Sequence, residues 1–143
     1  MKISASIDNR AGMHEVLLTT DGQSHSLAIP PKPAGFGSSA NGGELLFLAL
    51  ATCYCNDIYR EAAKRGIRVD RVEVEVDGDF GAAGEPARDI VYHTSVTAQA
   101  SEADILDLMR HTDQVAEIHN SLRVATPVRL GRMEGLVAAE PQR

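Results

Sequence analysis

The sequence predicts an α+β fold, an antiparallel sheet with helices packed on it, as a single domain over residues 1–143. Three observations predict it. Strand-like runs with turn signals come first, one long apolar segment reads as a helix, and strict valine alternation begins soon after that helix ends. At this length a globular chain hides roughly 68–70 % of the surface its unfolded form exposes, so one sizeable core is expected.

In "HEVLLTTDGQSHSLAI", Asp21-Gly22 lies between Val16–Thr20 and Ser24–Ile29, a hairpin signal. "PPKPAGFGSSANGG", residues 30–43, carries too many prolines and glycines for a helix or central strand and reads as a loop. A helix should run from about Asn41 to Arg65, with Gly66 as its stop and Lys64 and Arg65 at the negative end of the dipole. Its first half, Leu45 to Cys55, is apolar all round, which demands cover from a second layer or a partner subunit. Its second half, "NDIYREAAKRGI", is amphipathic and is expected to emerge into water.

"RVDRVEVEVDGDF" then alternates, with Val72, Val74 and Val76 inward and Glu73 and Glu75 outward. Residues 90–98 predict the next strand. Ser101, with Asp104 three positions on, opens a helix carrying Ile105, Leu108 and Met109 on one face. "HNSLRVATPVRLGRMEGLV" predicts a helical start and a closing strand, which Pro127 would confine to an edge or bulge.

Composition narrows the function. A formal charge of -6 repels a phosphate backbone, and with no tryptophan and 4 % aromatics there is no stacking platform, so nucleic acid is excluded as the main partner. The longest apolar run falls short of the roughly 20 residues that span a bilayer, so no membrane partner is expected. "MKISASIDNR" has no apolar core of a signal peptide, and a cytoplasmic, reducing location follows by default. There a disulfide would be transient rather than structural.

Both cysteines, Cys53 and Cys55, lie in the apolar helix. Positions two apart point about 200° from each other, so the two cannot easily bond while both stay helical, and the same geometry weakens a shared metal. Neither a metal nor a cofactor is called for. Read without context, such thiols are more often core material than reagents. Asp57, four positions after Cys53, would raise its pKa, and Arg60 is two turns on. A nucleophilic Cys53 therefore needs a cation from a distant segment.

"NGGELLFLALATCY" resembles the Asn-Pro-Glu-Glu-Leu segment, followed by small apolar residues and Ala-Cys-Phe, of the OsmC/Ohr family of thiol-dependent peroxidases. Aligned without gaps, Asn41, Glu44 and Leu45 match and Cys53 falls on the peroxidatic cysteine. The similarity continues through "NDIYREAAKRGIRVDRVEVEVDG". The resemblance implies an intertwined homodimer, antiparallel sheets wrapped around a long buried central helix, with sites at the interface. It also implies that Arg10, in "NRAGMHE", holds the Cys53 thiolate and pairs with a glutamate at the helix start. Here Gly43 replaces the first glutamate of the family pair, leaving Glu44, whose side chain points about 100° away.

In "AEIHNSLR", Ala116 stands at the family's resolving cysteine, Glu117 at its proline and His119 at its serine. His119 is either a replacement group near the site or an exposed helix residue, the second being favoured. His14, His25, His93 and His111 show no metal-ligand spacing and read as surface or strand residues.

The implied activity is reduction of organic hydroperoxides through the Cys53 thiolate, with Arg10 and Glu44, in defence against oxidative stress, the sulfenic acid being recycled by an external thiol reductant, a partner chain or Cys55. The alternative is a non-catalytic protein of the same scaffold that holds a small apolar ligand between its subunits. A sulfur or persulfide carrier on Cys53 is a third.

Overall fold

The computed structural model describes residues 1–139. Strands β1 (Ile3–Arg10), β2 (Met13–Thr20) and β3 (Gln23–Ser26) form an antiparallel meander in chain order. The β2–β3 turn places Asp21 at φ 47° and Gly22 at φ 81°, the left-handed pair of a type I′ hairpin, whose twist matches the strands it joins.

Helix α1 (Gly42–Lys64) follows the loop. Asn41 caps it by accepting from the Glu44 amide at 2.8 Å, while Glu44 accepts from the Asn41 amide at 3.1 Å. At the other end Gly66 (φ 66°) donates to Ala63 O and Ile67 donates to Ala62 O. This glycine-dependent stop satisfies the last carbonyls.

Strands β4 (Arg68–Phe80) and β5 (Ala87–Gln99) form a long antiparallel hairpin, register-shifted at Val69/Arg71 and Asp77/Asp79. Val72, Val74 and Val76 face the helix side, opposite Val96, Thr94 and Tyr92. Helix α2 (Glu102–Val115), capped by Ser101, and α3 (Glu117–Arg123) close the body. The core gathers Tyr54, Ile58, Ala62 and Leu108, flanked by Val72, Val74, Tyr92 and Met109. Fully burying Ile58 or Leu108 stabilises by roughly 1.5–3 kcal/mol each.

The second half of α1 is amphipathic: Asn56, Tyr59, Arg60, Ala63 and Lys64 reach water, while Asp57, Ile58, Glu61 and Ala62 are buried, because Tyr54, Ile58 and Ala62, four apart, make the stripe that meets β4 and α2. The first half is the part left open: Leu48 is 57 % exposed, and Leu45, Leu46 and Phe47 are only partly covered. The closing strand is also absent from the described residues. Residues 124–139 form neither helix nor strand, and Val128 is 97 % exposed.

The β1–β3 sheet stands off from α1 and the β4–β5 hairpin. A link back to it is the Gly37 amide, which donates to Asn9 Oδ1 at 3.0 Å. Among the described residues, no helix is long and apolar enough to cross a membrane.

Gly78 in β4 lets the Phe47 ring lie against the strand, for a Cβ there would stand 2.7 Å from Phe47 Cζ. Gly78→Ala should lower stability by about 1–3 kcal/mol through overpacking. Denaturant unfolding checks it, and the loss should shrink in a Phe47→Leu background.

Candidate functional site

Cys53 lies on α1, half-buried, where the helix meets α3. Its Sγ donates to Asp57 Oδ2 at 3.5 Å and stands 4.0 Å from Glu117 Oε2. The Cys53–Asp57 contact follows from i,i+4 spacing. Glu117 arrives because α2 ends at the fully buried Ala116 and α3 begins beside the sulfur.

Arg60 binds the carboxylates together. Its Nη1 lies 2.9 Å from Asp57 Oδ1 and 3.3 Å from Glu117 Oε1, and its Nε donates to Glu61 Oε1 at 2.9 Å. Glu61 also receives Lys64 Nζ at 2.9 Å and His111 Nε2 at 3.1 Å. Bonds from Lys64 and Arg60 hold the Glu61 carboxyl down to about 2. His111, at the surface with 38 % of its side chain exposed, ties α2 to α1 through this carboxylate.

Burial pushes the Cys53 thiol up, a backbone bond from Ile118 pulls it down, and the Asp57 and Glu117 charges add to the rise. Burial also raises Asp57, against the opposing pull of Arg60. The resting sulfur is therefore a thiol, with a buried carboxyl as its nearest partner.

Arg10 ends β1 on the outlying sheet. Its side chain is 69 % exposed and pairs with Asp8 at 2.9 Å. Within one chain the structure does not bring it to Cys53, whose side-chain partners are the two carboxylates. Glu44 sits in the helix cap described above, remote in sequence from either. A Cβ on Gly43 would stand 2.8 Å from Phe80 Cε2, so the aromatic ring occupies the space into which a glutamate there would begin. Phe80 in turn stacks on Phe47 at 5.9 Å.

Cys55 faces the other way, toward Ala51, Val72 and Val74. Cys53, Asp57 and Glu117 place a ligand atom each within 4.8 Å of one another, a set that could hold a cation. The Arg60 guanidinium already serves both carboxylates, so a metal ion would have to displace it.

His119, expected at the surface, is only 5 % exposed. Its ring packs edge-on to Tyr92 at 4.9 Å, and neither nitrogen has a hydrogen-bond partner. It lines a pocket of about 330 Å³ with Leu50, Ile90, Tyr92, Leu122 and Arg123, mostly apolar. Asp57 was legible only as a neighbour unfavourable to a thiolate. Arg60 was visible three positions beyond it, on the same helix face.

Residues 35–131, more than half of the chain, match the OsmC-like protein family. The chain belongs to the OsmC family. Among solved structures, an OsmC-like protein from Mycoplasma pneumoniae superposes with a TM-score of 0.58 at 20 % identity, covering 84 % of this chain and 87 % of that one. An OsmC-like hydroperoxide resistance protein from Jannaschia sp. gives 0.56 at 14 %, covering 93 % and 91 %. An organic hydroperoxide resistance protein OsmC from Legionella pneumophila gives 0.51 at 18 %, covering 82 % and 89 %. At these identities the OsmC likeness establishes the shared fold. No curated protein matches the chain by sequence.

Burial, and after it the Arg123 charge, lowers the His119 pKa. A depressed histidine contributes stability that is full above its unfolded value, about 6.5, and is lost as pH falls through the folded value. Denaturant midpoints should thus fall on acidification below that value. His119→Leu should flatten this dependence and cost little at neutral pH, since it removes two unpartnered buried nitrogens.

Proposed function

We propose that the protein reduces small organic hydroperoxides through Cys53, as a homodimer in which a second copy brings Arg10 to the sulfur. The supporting observation is the position of Cys53. Its sulfur is half-buried at the α1–α3 seam, three residues beyond Leu50 of the apolar pocket, on a helix whose first half is only partly covered. That partly covered half and the outlying sheet ending in Arg10 are two unpaired surfaces, and a second copy would cover one with the other. Two of the structural relatives are described as hydroperoxide resistance proteins.

In this reading the alkyl group lies against apolar walls, and Cys53 attacks the outer peroxide oxygen. Arg10 stabilises the charge developing on oxygen with its planar fork of donors. Glu44 keeps the first turn of α1 in place. With Ala116 at the resolving position and Cys55 turned toward β4, an external thiol reduces the sulfenic acid, in a reducing cytoplasm.

Steady-state consumption of an alkyl hydroperoxide with a dithiol reductant tests this. Cys53→Ser should abolish turnover and Cys55→Ser should leave it. Arg10→Ala should lower kcat/KM by about 10²-fold, the scale of one lost charge-stabilising donor.

A second reading rests on the raised thiol and on the ring over Gly43: a non-catalytic OsmC-like binder of a small apolar ligand. Native mass spectrometry decides between them. A co-purified ligand retained by Cys53→Ala, with no hydroperoxide turnover by the unaltered protein, selects the binder.

A further inference from the structure

The sulfur faces a proton problem that a cation alone does not solve. Its side-chain partners are carboxylate oxygens, and anions beside a thiol oppose its ionisation, with only the backbone at Ile118 acting the other way. Peroxide reduction nonetheless requires the thiol proton to leave sulfur and a proton to reach the departing alkoxide. Resting on the peroxidase reading, we propose that Asp57 is the catalytic proton relay of Cys53, accepting the thiol proton as sulfur attacks and returning it to the leaving oxygen.

The geometry supports each part. Asp57 Oδ2 is the acceptor of the Sγ–H at 3.5 Å, so the transfer path already exists as a hydrogen bond. Asp57 Oδ1 is held by Arg60 Nη1 at 2.9 Å, which fixes the carboxyl plane and turns the free oxygen toward sulfur. The Asp57 side chain is only 7 % exposed, so bulk water competes little for the proton, whereas Glu117 is 64 % exposed and its nearer oxygen is 4.0 Å away. Moving the proton shifts one negative charge from Asp57 to sulfur without changing the net charge of the Cys53, Asp57, Glu117 and Arg60 group. Arg60, relieved of one counter-ion, keeps its bonds to Glu61 and Glu117. Glu61 stays ionised throughout, engaged by Lys64 and His111.

The step balances as Cys53–SH + ROOH → Cys53–SOH + ROH. The S–H and O–O bonds break, and an S–O bond and a new O–H bond form. Sulfur is oxidised by two electrons and the peroxide reduced by two, and the thiol proton ends on the alcohol by way of Asp57.

A neighbour that merely burdens the thiol and a relay that serves it respond oppositely to Asp57→Asn. Both quantities are read in a Cys55→Ser background at neutral pH: alkylation of Cys53 by iodoacetamide, which needs only thiolate, and single-turnover oxidation by an alkyl hydroperoxide. The relay predicts faster alkylation together with oxidation slower by about 10²-fold, and substantial recovery of oxidation in Asp57→Glu. Acceleration of both reactions by Asp57→Asn overturns the relay while leaving Cys53 as the peroxidatic residue. No oxidation of Cys53 in the unaltered protein overturns the peroxidase reading itself. If Asp57→Asn does not fold, the unaltered protein decides. Oxidation must then slow in D2O by more than alkylation does, and equal slowing rejects the relay.

Discussion

Everything in this protein turns on how α1 is clad. Tyr54, Ile58 and Ala62 are buried against β4 and α2. The preceding Leu45–Leu48 segment is partly open. Cys53 sits where the sealed stripe gives way to the open one, which is why its sulfur is neither engulfed in hydrocarbon nor freely solvated. The hairpin lies on the Cys55 side of the helix, which leaves the Cys53 sulfur to the α3 side.

The charged groups on the same edge of α1 decide what that sulfur can do. Asp57, Arg60, Glu61 and Lys64 follow at helical spacing, and α3 adds Glu117. Because the guanidinium is shared among three carboxylates, its charge is spent at rest and the thiol keeps its proton. Ionisation of sulfur is thus conditional on where a proton goes, in contrast to a thiolate permanently held by a free cation. Arg10, far out on its own sheet, enters only through assembly with a second copy in the proposed mechanism.

Much of this was legible in the sequence wherever the signal was local. Asn41, Glu44 and Gly66 are written as a cap and a stop, and the valines of β4 alternate as a half-exposed strand must. The resemblance around Asn41 and Cys53 found the family that residues 35–131 match. The misreadings concern tertiary cover. In "NDIYREAAKRGI" the exposed face is legible, but the burial of the carboxylates Asp57 and Glu61 is not, because nothing local shows that α2 and α3 close over them. His119 reads from sequence as an exposed helix residue because nothing local announces that Tyr92 and Tyr54 close around it. The predicted last strand failed because a strand exists only through a neighbour's hydrogen bonds, and residues 124–139 find no such partner within the described chain. The approach of Glu117 to Cys53 was foreshadowed only by alignment of residues 116–119 with the family's resolving segment.

The most direct measurement is site-resolved mass spectrometry after addition of one equivalent of an alkyl hydroperoxide, with sulfenic acid trapped by a dione. A reactive sulfur at the α1–α3 seam requires rapid single-oxygen addition at Cys53 while Cys55 stays unmodified. Equal, slow oxidation of the two cysteines, at the pace of an ordinary small-molecule thiol, would contradict it.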